Sequence, residues 1–292
     1  MIMEATNLEN TVYLHKEYFG KWDTMGYREP VCDTKKARIL KRRLLAKLPE
    51  GFSIKRAVTL EQLSACQHTI YEQYLARGCI KENHSGLRSR KWDAPGFEST
   101  FFISDEDKII ATGGIIEDSG LGLPADKNFP NELENIRKYG KVCEFTNITV
   151  LPEYRRKGLA YHLMRRMFQH AHNKRNKVVI GQVDKEDLEL GFYGINMFLA
   201  AGEERSDYEN PLDSIVLGAL PLKGLYQKCL ERDRKLGDAA FLTDFWYRKN
   251  SQFVPTWDSF TEDLLALNAP IMPFSKEFIE CVRASGVPNA CF

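Results

Sequence analysis

The chain has 292 residues, 43% of them apolar and 11% aromatic, enough for one good-sized core with material left for added helices. Lys and Arg total 41 against 40 Asp and Glu, and the resulting net charge of +1 gives no reason to expect nucleic acid as a partner. The seven cysteines are scattered, odd in number and free of any C-x-x-C pair, which excludes a disulfide framework and a zinc site; with no signal-peptide pattern and no apolar run near ~20 residues, a cytoplasmic protein without a membrane span is expected.

Residues 1–50 are polar and basic. Lys35, Lys36, Arg38, Lys41, Arg42, Arg43 and Lys47 crowd one stretch and predict a helix over about 34–47 with a solvated basic face, an anionic partner being the alternative. Phe52–Val58 alternates as a strand does. Thr59 with Gln62 three residues later opens a helix by a capping box, and this helix runs to about Arg77 with Gly78 as its C-cap. Residues 79–99 read as a polar loop, followed by strands at Thr100–Ser104 and Lys108–Glu117 joined by a hairpin turn at Asp105-Glu106-Asp107. A loop at 120–124 leads to a short helix near 131–139, closed by Gly140.

Lys141–Leu151 is the strongest strand pattern and 156–173 the clearest helix. Leu159, Leu163, Met164, Met167, Phe168 and Ala171 share one helix face, leaving Arg165, Arg166 and Gln169 on the other. His162, His170 and His172 are expected at the surface, near a helix C-terminus that favours positive charge; no carboxylate or cysteine shares their spacing, so no metal site follows. Next come a buried strand at Val178–Val183, a helix around 185–195, and strands near Phe198–Glu203 and Leu212–Ala219. Helical patterns at 222–236, 238–249, 258–268 and 274–284 close the chain. The expected architecture is a mixed α/β (α+β) sheet with helices on both faces. Its expected division is a basic arm and helix at 1–50, a central domain at 51–220 and a helical extension at 221–292.

One constellation carries chemistry. In Glu144-Phe-Thr-Asn-Ile-Thr-Val-Leu-Pro-Glu-Tyr-Arg-Arg-Lys-Gly-Leu-Ala160 a long strand ends, a loop holds three cations, and a helix begins at a glycine. Unpaired N–H groups and the positive end of the helix dipole make such a helix start a phosphate site, and Gly158 and Ala160 let a ligand approach the backbone. The run lacks the Gly-Lys-Ser/Thr of a P-loop and is not a G-x-G-x-x-G fingerprint. Glu144 shares its strand face with Val142, Thr146, Ile148 and Val150 in simple alternation. A carboxylate there is desolvated, which raises its pKa and suits it to act as a base, directly or through water; the alternative is a buried acceptor satisfied by backbone or Arg. Cys143 points to the opposite face, which disfavours a covalent acyl-cysteine route.

Arg155-Arg156-Lys157-Gly158-Leu159-Ala160 resembles the R-x-x-G-x-A signature of the GNAT acyltransferases. The resemblance implies a mostly antiparallel, twisted sheet, with the backbone of Arg155–Ala160 cradling the phosphates of coenzyme A or of phosphopantetheine. It also implies that Ile148, Thr149 and Val150 line the pantetheine arm, where a strand bulge would aim an N–H at the thioester oxygen. A second GNAT signature, Y-x-x-x-G-F, is approached by Tyr193-Gly-Ile-Asn-Met-Phe198, with Met197 where the signature has glycine. In GNAT enzymes that tyrosine can protonate the leaving thiolate; the alternative for Tyr193 is an aromatic packed over the thiol end.

Over residues 68–205 the segments Tyr71–Gly78, Arg88–Asp93, Gly113–Asp118, Gly122–Asp126 and Cys143-Glu144 look like the long-chain N-acyl amino acid synthases, relatives of the acyl-homoserine-lactone synthases. The lactone synthases carry Arg three residues beyond the strand glutamate, where this chain has Asn147. The resemblance implies an acyl carrier protein or acyl-CoA thioester as donor, a small-molecule amine as acceptor, no metal, and substrate contacts from Arg90, Trp92 and Asp93. An acetyl-CoA-dependent N-acetyltransferase and a non-catalytic module that binds acyl thioesters are the alternatives.

Overall fold

The computed structural model describes residues 34–44, 48–93, 98–184, 199–207, 214–222 and 225–247. The expected arm before residue 34, the expected helix around 185–195 with Tyr193, and the helices expected at 258–268 and 274–284 lie outside the described residues. The described strands are β1 (Phe52–Arg56), β2 (Glu98–Asp105), β3 (Lys108–Glu117), β4 (Val142–Val150), β5 (Val178–Val183), β6 (Leu199–Ala200), β7 (Arg205–Ser206) and β8 (Ser214–Pro221). They assemble in the order β1-β2-β3-β4-β5-β8-β6, with β7 also pairing β8. Among these strands only β4 and β5 run parallel; the other pairings are antiparallel. This is the mixed, mostly antiparallel sheet that the chain pattern and the resemblance predict.

The described helices are α1 (Thr34–Leu44), α2 (Leu60–Ala76), α3 (Pro130–Arg137), α4 (Leu159–Asn173), α5 (Leu225–Leu236) and α6 (Leu242–Tyr247). The capping box of α2 forms as expected: Gln62 N–H donates to Thr59 Oγ1 at 3.2 Å, and Thr59 N–H donates to Gln62 Oε1 at 3.4 Å. Gly78, at φ +74°, lets the chain turn away after the helix. Thr59→Ala should therefore cost about 1 kcal/mol, read as a lower Tm with the fold unchanged.

Two apolar layers flank the sheet. On one face Phe101, Ile110, Ile115, Cys143 and Phe145 meet Leu159, Leu163, Met167 and Phe168 of α4. Leu225, Cys229 and Leu236 of α5 and Phe245 and Trp246 of α6 complete this core, and Ala37 of α1 reaches it too. The basic stretch of α1 is partly tied down, since Arg38 pairs with Asp238 at 2.8 Å and Lys41 Nζ donates to the Asp238 carbonyl at 2.8 Å. On the other face Ile116, Val142, Ile180 and Leu217 pack against Leu123, Ala125, Phe129, Leu133 and Ile136, from the loop before α3 and from α3 itself.

The outer face of α4 differs from expectation. Arg165 is buried, with its guanidinium 5.4 Å from the Phe245 ring centroid, and burial pushes its pKa down to about 10. His162 is buried beside it and pushed down to about 4, by burial first and then by Arg165. His170 is half-buried, edge-on to Phe101 at 5.3 Å, and burial pushes it to about 3. His162 and His170 are thus neutral near pH 7 rather than charged surface groups; His172 alone of the three is exposed. For Arg165 the cause is α6, whose Phe245 and Trp246 pack on α4, whereas His170 is turned toward Phe101 of the sheet.

Candidate active site

Glu144 lies in β4, opposite Ile116 of β3 and Ile180 of β5. Its side chain is on the α3 face of the sheet, while Cys143 enters the α4 core and burial drives its thiol pKa well up. Glu144 is 2% exposed. Its Oε2 accepts from Ala125 N–H at 2.9 Å and its Oε1 from Gln182 Nε2 at 3.0 Å. The first donor comes from a 3-10 turn at Pro124–Lys127. That turn is pinned because Asp126 accepts from Leu123 N–H at 2.6 Å and pairs with Arg137, which also holds Asp118. Burial raises the Glu144 pKa to about 7, against the downward pull of the Ala125 and Gln182 donors and of Arg90.

Beyond Glu144 the strand departs from regular geometry. Thr112 pairs Thr149 but Gly114 pairs Thr146, so Gly113 alone faces both Asn147 and Ile148. This is the bulge that the family resemblance implies, with Asn147 in the left-handed region at φ +56°, a conformation Asn tolerates better than most residues. The extra residue advances the side-chain alternation. Ile148 and Val150 pack with Phe145 on the α4 side, not on the Glu144 face where simple alternation places them. Thr146 stays on the Glu144 side and receives Arg90 NH2 at 3.0 Å. Gly113 and Gly114 make room for this arrangement: a Cβ on Gly113 would stand 2.7 Å from Met167 Sδ, and one on Gly114 1.7 Å from Glu98 Oε1.

β4 also parts from β5. Their pairing covers Val142–Glu144 against Val178–Ile180 and goes no further, although both strands continue. A gap therefore opens between them on the side where Ile148, Thr149 and Val150 lie. Thr149 is buried and its Oγ1 has no hydrogen-bond partner among the described residues.

At the far end of β4 the chain turns through a 3-10 segment, Pro152–Tyr154, into α4. Helix α4 starts at Leu159, with Gly158 as its N-cap at φ +81° and Arg156 also left-handed at φ +64°. Leu159 anchors the start in the core, so the first-turn N–H groups, including that of half-buried Ala160, are held at the mouth of the gap. Arg155, Arg156 and Lys157 are exposed around it. Arg155 donates from Nε to the Val150 carbonyl at 3.0 Å and from NH2 to Gln73 Oε1 at 3.3 Å, while Lys157 Nζ sits 4.9 Å from the Tyr154 ring centroid.

The other expected site residues lie beside the bulge. Arg90 and Asp93 form a bidentate ion pair, with side chains 12% and 0% exposed. Asn147 Nδ2 lies 3.4 Å from both Asp93 Oδ1 and Glu98 Oε1. Trp92 packs into the α3-side core and donates from Nε1 to the Leu121 carbonyl at 3.4 Å, so it buttresses the loop that carries Ala125. Glu144, Arg90, Asp93 and the bulge thus come together, Arg155–Ala160 stands at the end of the same strand, and Tyr193 is outside the described residues.

Two polar residues of the site escape the sequence pattern. Glu98 is half-buried, and burial, reinforced by the Asp93 charge and opposed by Arg90, raises its pKa to about 8. Gln182 interrupts an otherwise apolar strand, and that interruption is the signal that could have found it. Glu98 falls in a segment that reads as loop, and nothing local marks it. Among the described residues no group of His, Cys, Asp and Glu is placed to hold a metal, and no helix is long and apolar enough to cross a membrane.

Residues 65–207 match the family model described as N-acyl amino acid synthase FeeM. Among solved structures, the fold is similar to that of FeeM, an N-acyl amino acid synthase from uncultured soil microbes, at 18% identity over 60% of this chain and 93% of that chain, with a TM-score of 0.52. The CoA-dependent acyl-homoserine lactone synthase BjaI is similar at 8% identity over 64% and 90% of the two chains, TM-score 0.46. Escherichia coli ElaA is similar at 13% identity over 57% and 98%, TM-score 0.44. No curated protein sequence matches the chain.

Proposed function

We propose that the chain is an N-acyltransferase of the N-acyl amino acid synthase kind whose family model it matches through residues 65–207, and that it moves a long-chain acyl group from acyl carrier protein to the amine of an amino acid or similar small molecule. The observation that carries the reading is a buried carboxyl, Glu144, with its pKa raised to about 7, on the strand that bulges and parts from its neighbour.

In this reading the first-turn N–H groups of α4, with Gly158 and Ala160, receive the phosphate of the donor. The pantetheine arm follows Ile148–Val150 into the gap between β4 and β5. The acceptor arrives as an ammonium group and must lose a proton before it can attack. Glu144 takes that proton, directly or through one water, and the free amine adds to the thioester carbonyl carbon. The C–N bond forms and the C–S bond breaks; the thiolate leaves with a proton that Tyr193 would supply, and the second proton the nitrogen gives up on becoming an amide restores Tyr193 through solvent, so that one proton is released overall. Exchange of thioester for amide is downhill, so the site has chiefly to place two partners and pass protons from the nitrogen to the base and to the departing thiolate.

The acceptor and donor are tested together by mass spectrometry of products from a mixed amino-acid pool, with the carrier and CoA thioesters offered separately. N-acyl amino acids formed from the carrier thioester are the expected products. Acetylated products formed only from acetyl-CoA would favour an ordinary acetyltransferase.

Salt dependence gives a further expected result. Arg155, Arg156 and Lys157 are exposed at the mouth, whereas Arg165 is buried and takes no part there. Complementary charge mainly speeds encounter, and exposed charges are screened beyond ~10 Å at 0.1 M salt. Turnover with acyl carrier protein should therefore fall with rising salt more steeply than turnover with acyl-CoA. If acyl-CoA serves equally well at every salt concentration, the carrier is not the donor.

A further inference from the structure

We infer that Asp207, Asn128 and Gln182 form a hydrogen-bond chain of fixed direction that presents only donors to Glu144 and so holds it as a proton acceptor. The inference rests on Glu144 being the base. Asn128 Nδ2 lies 3.1 Å from Asp207 Oδ1 and 2.6 Å from Gln182 Oε1, and Gln182 Nε2 lies 3.0 Å from Glu144 Oε1. The three residues are half-buried and lead from Glu144 toward the surface at the end of β7.

The direction follows from chemistry, not from the placement of amide atoms. An ionised Asp207 can only accept, so Asn128 must turn its NH2 toward it. That NH2 also faces Gln182, which must therefore answer with its carbonyl oxygen. The Gln182 NH2 is then committed to Glu144. On the other side Glu144 meets the Ala125 N–H, which can only donate. Each carboxylate oxygen of Glu144 thus accepts one bond and keeps a further acceptor site for an incoming proton.

Other groups stabilise this arrangement or act on Glu144 from elsewhere. Arg205 holds Asn128 in place, donating from NH1 to the Asn128 carbonyl at 2.6 Å and pairing with Glu132. Arg90 and Asp126 are the charged groups that act on Glu144, the first favouring its ionised form and the second opposing it. Gln182, Asn128 and Asp207 are positioning residues, acting through Glu144.

The test is the pH–rate profile of two variants. Gln182→Leu removes the donor, so Glu144 should hold its proton to higher pH and the acidic limb of kcat/KM should move up by about one unit, with about a tenfold loss near pH 6 that is recovered near pH 9. Asp207→Asn frees Asn128 to turn round, and a smaller shift in the same upward direction is expected. Its sign is diagnostic: loss of a nearby negative charge acting through space would favour ionised Glu144 and move the limb down. A merely structural role lowers Tm and leaves the limb in place. An unmoved limb in either folded variant, or a downward shift in Asp207→Asn, overturns the chain; should Gln182→Leu fail to fold, Asp207→Asn decides alone. If the chain fails while Glu144→Gln is still impaired, the base assignment stands. If Glu144→Gln keeps full activity per folded molecule, the base assignment falls and the chain with it.

Discussion

Glu144→Gln should lower kcat by about 10²–10⁴-fold while donor affinity stays close to that of the parent enzyme. Gln keeps the shape and one acceptor oxygen but takes up no proton near neutrality. In the parent enzyme, with the Glu144 pKa at about 7, the rate should fall about tenfold per unit below that pH; the variant should lack this limb. Raising the pH should recover part of the loss, since more of the amine then arrives deprotonated.

Some loss of stability should accompany the change, for a definite reason. Both Glu144 oxygens accept from groups that donate, and the Ala125 N–H is fixed by its backbone. The new amide must turn its own NH2 toward Gln182, which can flip only by losing Asn128. A cost of about 1–3 kcal/mol is expected for one buried mismatch.

The pH dependence of stability has its own sign. The folded carboxyl holds its proton up to about pH 7, whereas an unfolded one releases it near pH ~4.3, so the parent protein should lose stability as pH rises between these values. The Glu144→Gln variant, with no proton to hold at this position, should not show that loss. Melting temperature and pH–rate profile measured together separate the roles: an altered Tm with kcat per folded molecule untouched would leave Glu144 a structural acceptor and make a water chain or the Tyr193 hydroxyl the next candidate for the base.

Gly158→Val should raise the Kd of the thioester donor at least about tenfold, a loss of about 1.4 kcal/mol in binding. The position caps α4 in the left-handed region at φ +81°, where a side chain strains against the backbone and also fills the approach to the first-turn N–H groups. A valine inside a first helical turn would cost only some tenths of a kcal/mol, but this conformation makes about 1–2 kcal/mol the expected cost to the fold. Gly158→Ala shares the strain with less bulk, so it should show a similar fall in Tm and a smaller rise in Kd. Unchanged donor affinity in folded Gly158→Val would place the phosphate elsewhere.

The sequence by itself determined what depends on neighbours along the chain. The Thr59–Gln62 capping box, the β2–β3 hairpin around Glu106, the start of α4 at Gly158 and the separation of Glu144 from Cys143 onto opposite faces of β4 all follow from side-chain periods of about 3.6 and 2 and from bonds spanning a few residues. The tertiary structure alone decided the rest. A period of about 2 cannot announce its own interruption: the bulge at Asn147 lies opposite Gly113 and Gly114 of a different strand, where a Cβ would meet Met167 and Glu98, and it carries Ile148 and Val150 to the other face. Nor can a helix show what will cover its outer side, so Arg165 reads as a surface residue until Phe245 of α6, far along the chain, packs over it. The surroundings of Glu144 are of the same kind. Ala125, Gln182, Asn128 and Asp207 come from separate segments, and only packing brings their donors and acceptors within hydrogen-bond distance of one another.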